Sequence, residues 1–169
     1  MTTERTGLHE KVIHAASLLA RDENAIANCE ELLAHLGSAL QWDWVALWKL
    51  NVNVLQVSAA WVSPAVHASE LEAFTRRWFP ESGEGMVGQA WRQKRSLLSV
   101  NLVRDMVLPR SLLTTTPGFV TGMWIPIIKF GAVYGVLEFL GTNTASTAHE
   151  QISHIETLAA EIAPYVPKF

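Results

Sequence analysis

Residues 121–141 constrain the fold of this chain most strongly, because they read as two strands joined by a tight turn at Gly131. In the first strand both sets of alternating positions are mostly apolar, which predicts that both of its faces are covered. The second strand is β-branched and aromatic with a single charge, Glu138, and Gly135 lets a neighbouring backbone approach closely. The hairpin is therefore predicted to be the centre of a sheet. Pro126 cannot donate a ladder hydrogen bond, so we expect a local irregularity there.

The composition is that of one globular domain with a sizeable core, since 49% of the 169 residues are apolar and 17% are charged. A net charge of −3 argues against general nucleic-acid binding, for which a strongly basic surface is usual. The first residues lack the apolar run of a signal peptide, and no stretch approaches the roughly 20 apolar residues of a membrane span. These features predict a cytoplasmic protein without a membrane span. Cys29, the single cysteine, lies on a helical apolar stripe and is predicted to be a buried, reduced thiol.

A continuous apolar seam predicts helical structure from the N-terminus to residue 40. Its members are spaced alternately by four and three, and Asp22 is its only charged member. Two interpretations remain open. One long helix could present the seam to a partner in a dimer, or two amphipathic helices could pack on the sheet, with Asp22 or Asn24 capping the second. The seam consists of Leu8, Val12, Ala15, Leu19, Asp22, Ile26, Cys29, Leu33, Leu36 and Leu40.

The rest of the chain predicts further strands, short helices and a final helix. Thr147 and Glu150 have capping-box spacing and therefore mark the start of the final helix. Strands and helices in this order predict an α+β domain with helices on one face of an antiparallel sheet. The predicted elements are a hairpin (42–50 and 54–62), a helix ended by Pro80 (67–79), a short strand (97–101), an irregular segment (102–118), the central hairpin and a final helix (about 148–165).

The sequence lacks the motifs of common catalytic sites. Gly83, Gly85 and Gly88 form G-x-G-x-x-G, but the dinucleotide fingerprint must follow a strand inside a βαβ unit, and a helix precedes it here. His149 and His154 are five residues apart, whereas a zincin motif needs histidines four apart. We find no nucleophile elbow, P-loop or paired catalytic carboxylates. We therefore expect that the chain is not an enzyme and has no catalytic or metal-binding residues.

A ligand site is predicted between the second face of the sheet and segment 102–118, since long irregular segments in compact domains usually serve a purpose. Arg104 and Arg110 are the best candidates for its polar contacts. The basic residues of the middle third of the chain form either a solvated face or a site for an anionic group of a metabolite or acidic partner. The apolar candidates are Trp61, Phe74, Trp78, Met86, Trp91, Met106, Phe119 and Trp124.

Several blocks of the sequence, in this order and spacing, resemble a GAF domain of the kind found in bacterial sensor histidine kinases and diguanylate cyclases. The resemblance covers residues 24–166 and leaves residues 1–23 as an N-terminal helical extension. The blocks are VALWKL at 45–50, GEGMVGQAW at 83–91, Pro109-Arg110, Pro126-Ile127 and GVLEFL at 135–140.

This resemblance implies a six-stranded antiparallel sheet with N- and C-terminal helices packed on one face and short helices and loops over a pocket on the other. It implies a sensory or regulatory module that binds a small molecule and passes the signal through its terminal helices, as a homodimer. The alternative is a ligand-free module for dimerisation or interaction. The ligand is unidentified: we find no N-K-x-F-D-E pattern of cyclic-nucleotide binders, and the family's reductases use several cysteines, whereas Cys29 stands alone.

Overall fold

The predicted central hairpin organises the sheet in a computed structural model that describes residues 2–19, 25–107, 109–142 and 145–166. Strands β4 (Thr121–Lys129) and β5 (Ala132–Gly141) pair antiparallel around Gly131, whose φ of 75° suits the turn. The other strands are β1 (Trp44–Asn51), β2 (Val54–Val62) and β3 (Leu97–Ser99), and every pairing is antiparallel. The sheet order is β2-β1-β5-β4-β3, which places β5 at its centre.

The described residues contain five strands, so the expectation of six is wrong. Beside β2 the described chain forms a single bridge, between Val54 and Glu81, next to a hydrogen bond from Leu55 N to Pro80 O of 2.8 Å. Pro80 cannot donate to a ladder, and the chain turns at Gly83, where φ is 90°. Too few extended residues therefore remain to form a strand.

Both special residues of the hairpin have a structural explanation. The backbone of β1 passes so close to Gly135 that a Cβ there would overlap the carbonyl oxygen of Trp48. Pro126 lies beyond the end of β3, which pairs only with residues 122–124 of β4, so its missing donor faces no strand partner among the described residues. The register of β4 and β5 shifts between Ile127 and Ile128, one residue past the proline. The predicted irregularity is confirmed.

The N-terminal region contains α1 (Thr2–Leu19) and α2 (Ala25–Leu40), and because they pack against each other they are two helices and not one. The capping role predicted for Asp22 or Asn24 falls outside the described residues. The seam residues that the structure describes are buried within the domain, with the exception of Ile26, which is 65% exposed. The seam is therefore occupied by the chain's own core, which favours the two-helix interpretation over a seam left free for a dimer.

The final helix, α7 (Ala145–Ile162), continues into a 3₁₀ turn at Ala163–Tyr165 that contains Pro164. The helix begins three residues earlier than the capping-box spacing predicted, so Thr147 lies inside its first turn. Helix α7 packs on β4 and against α1, where His9 Nδ1 lies 2.9 Å from Glu161 Oε2. Helix α1 shares one core with α2 and α7, while the division at residue 24 stays a prediction.

Four short helices cover the opposite face of the sheet. Helix α3 (Ser69–Thr75) is shorter than predicted, α4 (Gly85–Gln93) begins in the glycine-rich block, and the irregular segment contains α5 (Leu102–Asp105) and α6 (Arg110–Leu113). The sheet thus separates two apolar layers, one under α1, α2 and α7 and one under α3–α6. In the part of the chain that the structure describes, none of the helices has both the length and the apolar character to cross a membrane.

Candidate functional site

A buried ion pair lies at the centre of the layer under α3–α6. Glu138 projects from β5 into this layer with no exposed surface, and Arg110, the first residue of α6, is 2% exposed. The two side chains form a bidentate pair, with Arg110 Nη1 2.7 Å from Glu138 Oε2 and Arg110 Nη2 bonded to Oε1. Arg110 Nε also donates to Thr75 Oγ1 of α3 at 3.3 Å. Charges in an apolar layer are expensive unless paired, and here both are paired.

Two tryptophans complete the hydrogen bonding of the carboxylate. Trp44 Nε1 donates to Glu138 Oε1 at 3.0 Å, and Trp124 Nε1 donates to Oε2 at 2.7 Å. The sheet register explains the arrangement, because Trp124 on β4 pairs with Glu138 and Trp44 on β1 lies two positions from its partner Ala46. Three central strands therefore fix the carboxylate and its two indole donors.

Two further tryptophans flank the guanidinium. Arg110 Cζ lies 5.5 Å from the ring centroid of Trp48 on β1 and 5.5 Å from that of Trp78, which follows α3. The two rings meet edge to face, at 5.8 Å and 87°. Cation–π contacts of this length stabilise a cation most strongly where water is excluded. We call Glu138, Trp44, Trp124, Trp48 and Trp78 the tryptophan cage.

The pKa of the Glu138 carboxyl is lowered despite its complete burial. Desolvation alone would raise this pKa, but the charge of Arg110 and the hydrogen bonds from Arg110, Trp124 and Trp44 outweigh it. Glu138 is therefore an anion at neutral pH. The cage is a preorganised anionic site with aromatic walls, and the chain's own arginine occupies it.

One donor of the cage lacks an acceptor. Trp48 Nε1 is buried and has no hydrogen-bond partner among the described residues. Such groups are rare in folded proteins, because burying an unpaired donor costs about 1–3 kcal/mol. Trp48 Nε1 is therefore a buried donor of the cage that neither Glu138 nor Arg110 satisfies.

The structure brings together most of the predicted site residues. Arg110 and Trp124 both donate to Glu138, and the ring of Trp78 contacts Arg110. The ring centroid of Phe74 lies 6.2 Å from that of Trp78. The remaining candidates in the same layer are Met86, Trp91, Met106 and Phe119.

The structure places two of the predicted site residues, Trp61 and Arg104, elsewhere. Trp61 packs against Gly37 of α2 on the other side of the sheet, where it lines a surface cleft of about 430 Å³ with Trp42 and Asp43. The pairing of β2 with β1 shifts register between Leu47 and Trp48. The alternation of faces along β2 is interrupted at this point, so a count from the start of β2 assigns Trp61 to the wrong face. Arg104 is exposed and pairs with the neighbouring Asp105, Nε to Oδ1 2.6 Å.

The site residues predicted from the sequence did not include Glu138, Trp44, Trp48 and Thr75. The sequence contained a signal for Glu138, since it is the single charge of the central strand. It also contained one for Trp44 and Trp48, because their even spacing puts them on the same face of β1. Thr75 had no such signal, because its role depends on where α3 crosses the sheet. Cys29 lies on the opposite side of the sheet, and burial raises the pKa of its thiol to about 12. Its predicted burial is confirmed, and at neutral pH this thiol is protonated.

Metal binding has no geometric support in the described residues, where no cluster of three histidine, cysteine or acidic side chains could hold an ion. The groups available to a bound molecule are instead one carboxylate, one guanidinium, indole donors and aromatic faces.

Comparisons with known proteins agree with the fold. The model of the GAF domain family matches residues 24–165. No curated protein matches the chain.

Solved structures cover almost the whole chain. A free methionine-R-sulfoxide reductase of Staphylococcus aureus in complex with substrate is 20% identical, with a TM-score of 0.69 over 96% of this chain and 95% of that one. The GAF domain of nlh2 from A. aeolicus in an inactive state is 14% identical, with a TM-score of 0.69 and coverage of 95% and 96%. A putative GAF sensor protein from Burkholderia vietnamiensis is 16% identical, with a TM-score of 0.68 and coverage of 96% and 95%.

The expectation that this chain is not an enzyme is wrong. Free methionine-R-sulfoxide reductases are among the structures that share its fold, at 16–20% identity, so this architecture carries catalysis in other proteins. The lack of a recognisable catalytic motif in the sequence is no ground for excluding an enzyme.

Proposed function

Because the chain belongs to the GAF domain family, we propose that it is a sensory or regulatory module that binds a small molecule in the tryptophan cage. In this proposal the module serves a signal-transduction protein of the sensor histidine kinase or diguanylate cyclase kind, and α1, α2 and α7 pass the signal on. The observation that carries the proposal is the buried ion pair of Arg110 and Glu138 inside an aromatic layer.

A buried ion pair supports a binding role better than a stabilising one. Replacing such a pair by apolar residues is often neutral or favourable, because desolvation costs as much as the attraction between the charges gains. Ligand sites, in contrast, typically combine aromatic walls with a few convergent polar groups. The tryptophan cage has this composition, and it lies under segment 102–118, where a site is predicted from the sequence.

The central strand supports a route from the cage to the terminal helices. Glu138 faces the cage, while its neighbours Leu137 and Phe139 face the core shared with α1, α2 and α7. A ligand that binds one position of β5 better than another shifts the packing of those helices. Its effect is limited by the difference between its affinities for the two arrangements.

A second candidate function is a ligand-free module for dimerisation or interaction. It is favoured by the complete burial of Trp44, Trp48 and Trp124, since the chain's own side chains fill the layer. In that case Arg110 and Glu138 would serve only to fix the packing of α6. Homodimerisation through the terminal helices would use their exposed surfaces, because their apolar seam is internal.

Native mass spectrometry of protein purified from cells separates the two functions. We expect an excess mass over the denatured chain that is retained by the exposed-site variant Arg104→Ala and lost in Glu138→Gln. Hydrogen exchange with and without the retained molecule should then show altered protection in α1 or α7. A wild type with no retained molecule, or one retained equally by Glu138→Gln, contradicts binding in the cage.

A further inference from the structure

We propose that Arg110 is an internal occupant of a cation site, and that the small molecule bound there carries a guanidinium or primary ammonium group that replaces the arginine. This inference rests on the proposed function, since it names the ligand class of the same site.

The carboxylate half of the ion pair is rigidly held. Glu138 lies on the central strand, and its indole donors Trp44 and Trp124 lie on the two strands that flank it. Exchange of the group that faces the carboxylate leaves the pairing of these strands intact, so any shift of β5 carries Glu138 and its two donors together. The fixed component of the site is therefore an anion whose two indole bonds hold it in one orientation.

The guanidinium half is held by a different kind of element. Arg110 begins a helix of four residues in a segment whose turns are closed by local hydrogen bonds, such as Ser111 N to Val107 O at 3.0 Å and Phe119 N to Thr114 O at 2.9 Å. Val107 and Leu112 of this segment are 43% and 54% exposed. A segment with local bonds and exposed apolar side chains opens at lower free energy than the strands below it. Arg110 is thus the exchangeable partner.

The walls of the cage select for a flat or compact cation. The faces of Trp48 and Trp78 lie on the guanidinium of Arg110 at 5.5 Å from each centroid. The negative faces of both rings attract any cation placed between them, and so does Glu138. An anionic ligand would instead meet the Glu138 carboxylate, whose charge is compensated only while Arg110 stays.

The unpaired donor of Trp48 gives a second, independent indication of an external ligand. Arg110 can offer Trp48 Nε1 no acceptor, since a guanidinium carries donors only. A small organic cation with an oxygen or nitrogen acceptor beside its charge would satisfy both Glu138 and this donor. The ligand class is therefore a guanidinium- or ammonium-bearing molecule with an adjacent acceptor.

Chemical complementation tests the exchange. Arg110→Ala removes the internal cation and leaves Glu138 in an open cage, and methylguanidinium at millimolar concentration is the probe. Methylurea, which has nearly the same shape without the charge, is the matched neutral probe, and sodium chloride controls for ionic strength. Arg110→Ala combined with Glu138→Gln is the matched protein, because it keeps the cavity and lacks the anion.

We expect methylguanidinium to raise the melting temperature of Arg110→Ala saturably and to bind it at least ten-fold more tightly than it binds the double variant. Methylurea should give no such rise. Wild type should bind methylguanidinium more weakly than Arg110→Ala, since an open state populated at about 10% or less reduces the apparent affinity ten-fold or more. A folded Arg110→Ala that does not distinguish methylguanidinium from methylurea overturns the proposal.

A measurement on wild type covers the case in which Arg110→Ala does not fold even with the probe. The indole N–H signals of Trp44 and Trp124 in NMR spectra should shift saturably with methylguanidinium and remain in place with methylurea. Unchanged indole signals at saturating probe would also overturn the proposal.

The ligand class and the proposed function fail in different ways. If Arg110→Ala binds methylguanidinium but hydrogen exchange of α1 and α7 does not respond in wild type, the cation site stands and the sensory role fails. If a retained molecule of another charge class changes helix protection while the complementation fails, the sensory role stands and the cation site fails.

Discussion

At the scale of single residues, one carboxylate determines the chemistry of an otherwise apolar layer. Glu138 accepts from two indoles and one guanidinium, and each of these donors would be left without its acceptor if the carboxylate were removed. Arg110 depends on Glu138 in return, because it is almost fully buried. The two side chains therefore behave as one unit, and removing either alone leaves a charge without its partner.

The first prediction compares this buried pair with an exposed one. Arg110→Ala should lower the free energy of unfolding by about 3–5 kcal/mol, because it leaves the buried Glu138 anion uncompensated. Arg104→Ala removes an exposed arginine from Asp105 and should change stability far less, since water screens that pair. Urea unfolding of both variants measures the difference. Equal losses would mean that the Arg110–Glu138 pair is solvated in the folded protein.

The second prediction concerns acid. Because the pKa of Glu138 is lower in the folded chain than its ordinary value of 4.5, the unfolded chain binds the proton first as pH falls. The stabilisation is fully present above the ordinary pKa and is lost as pH falls through the lowered folded value. Arg110→Met combined with Glu138→Gln, which lacks both charges, should lose less stability than wild type between neutral pH and about pH 3. Parallel acid profiles from urea unfolding would contradict the assignment.

At the scale of elements, the sequence predicted the central strands more accurately than the boundaries of the helices. The hairpin of β4 and β5 and its irregularity near Pro126 followed from alternation and from the missing proline donor. The start of α7 did not, since the helix begins before Thr147 and Glu150, which only resemble a capping box. Capping-box spacing can occur inside a helix as well as at its start, so the pattern alone does not locate the boundary.

The third prediction tests the contact between β1 and β5. Gly135→Ala places a methyl group against the carbonyl oxygen of Trp48, where two strand backbones limit relaxation, and should cost about 1–3 kcal/mol. Gly7→Ala in α1 is the matched control, since a Cβ there meets no atom within 4 Å and alanine favours the helix. Gly7→Ala should stabilise by up to about 1 kcal/mol. Thermal unfolding of both variants measures the two changes, and a stabilising Gly135→Ala would contradict the strand register.

At the scale of the whole molecule, one sheet separates the layer under α1, α2 and α7 from the layer under α3–α6. The terminal helices bury their seam on one side, and the tryptophan cage lies on the other. Leu19 of α1 and Leu33 of α2 are 3% and 0% exposed within a single chain. The helices are therefore part of the folded domain, and any partner would meet their outer surfaces.

The fourth prediction follows from that burial. Leu19→Asp combined with Leu33→Asp should abolish cooperative unfolding, because two carboxylates would enter the apolar core. Ile26→Asp on the exposed side of α2 should remain folded, since Ile26 is already 65% exposed. Circular dichroism melts with light scattering decide the outcome. A folded monomer from the leucine variant would show that the seam faces a partner and not the domain.

The sequence predicted more of the fold than of the candidate site. Trp78, Arg110 and Trp124 were predicted from the sequence to lie on the second face of the sheet, and the structure brings them together there. Trp61 was predicted to lie on that face, but the register shift between β1 and β2, which the sequence does not reveal, turns it to the other face. Arg104 and Arg110 looked equivalent in sequence, and only the position of α6 directs one to Glu138 while the other reaches Asp105.

The sequence by itself determined the central hairpin, the antiparallel α+β class, the two-sided sheet and the helical seam, because these follow from local periodicity and backbone chemistry. Only the tertiary structure decided that the seam closes on its own domain, that the described residues form a sheet of five strands, and that Arg110 reaches Glu138 between Trp48 and Trp78. The contact between Arg110 and Glu138, for example, joins residues 28 positions apart. The positions of such residues are set by how elements pack and not by the preferences of any one segment.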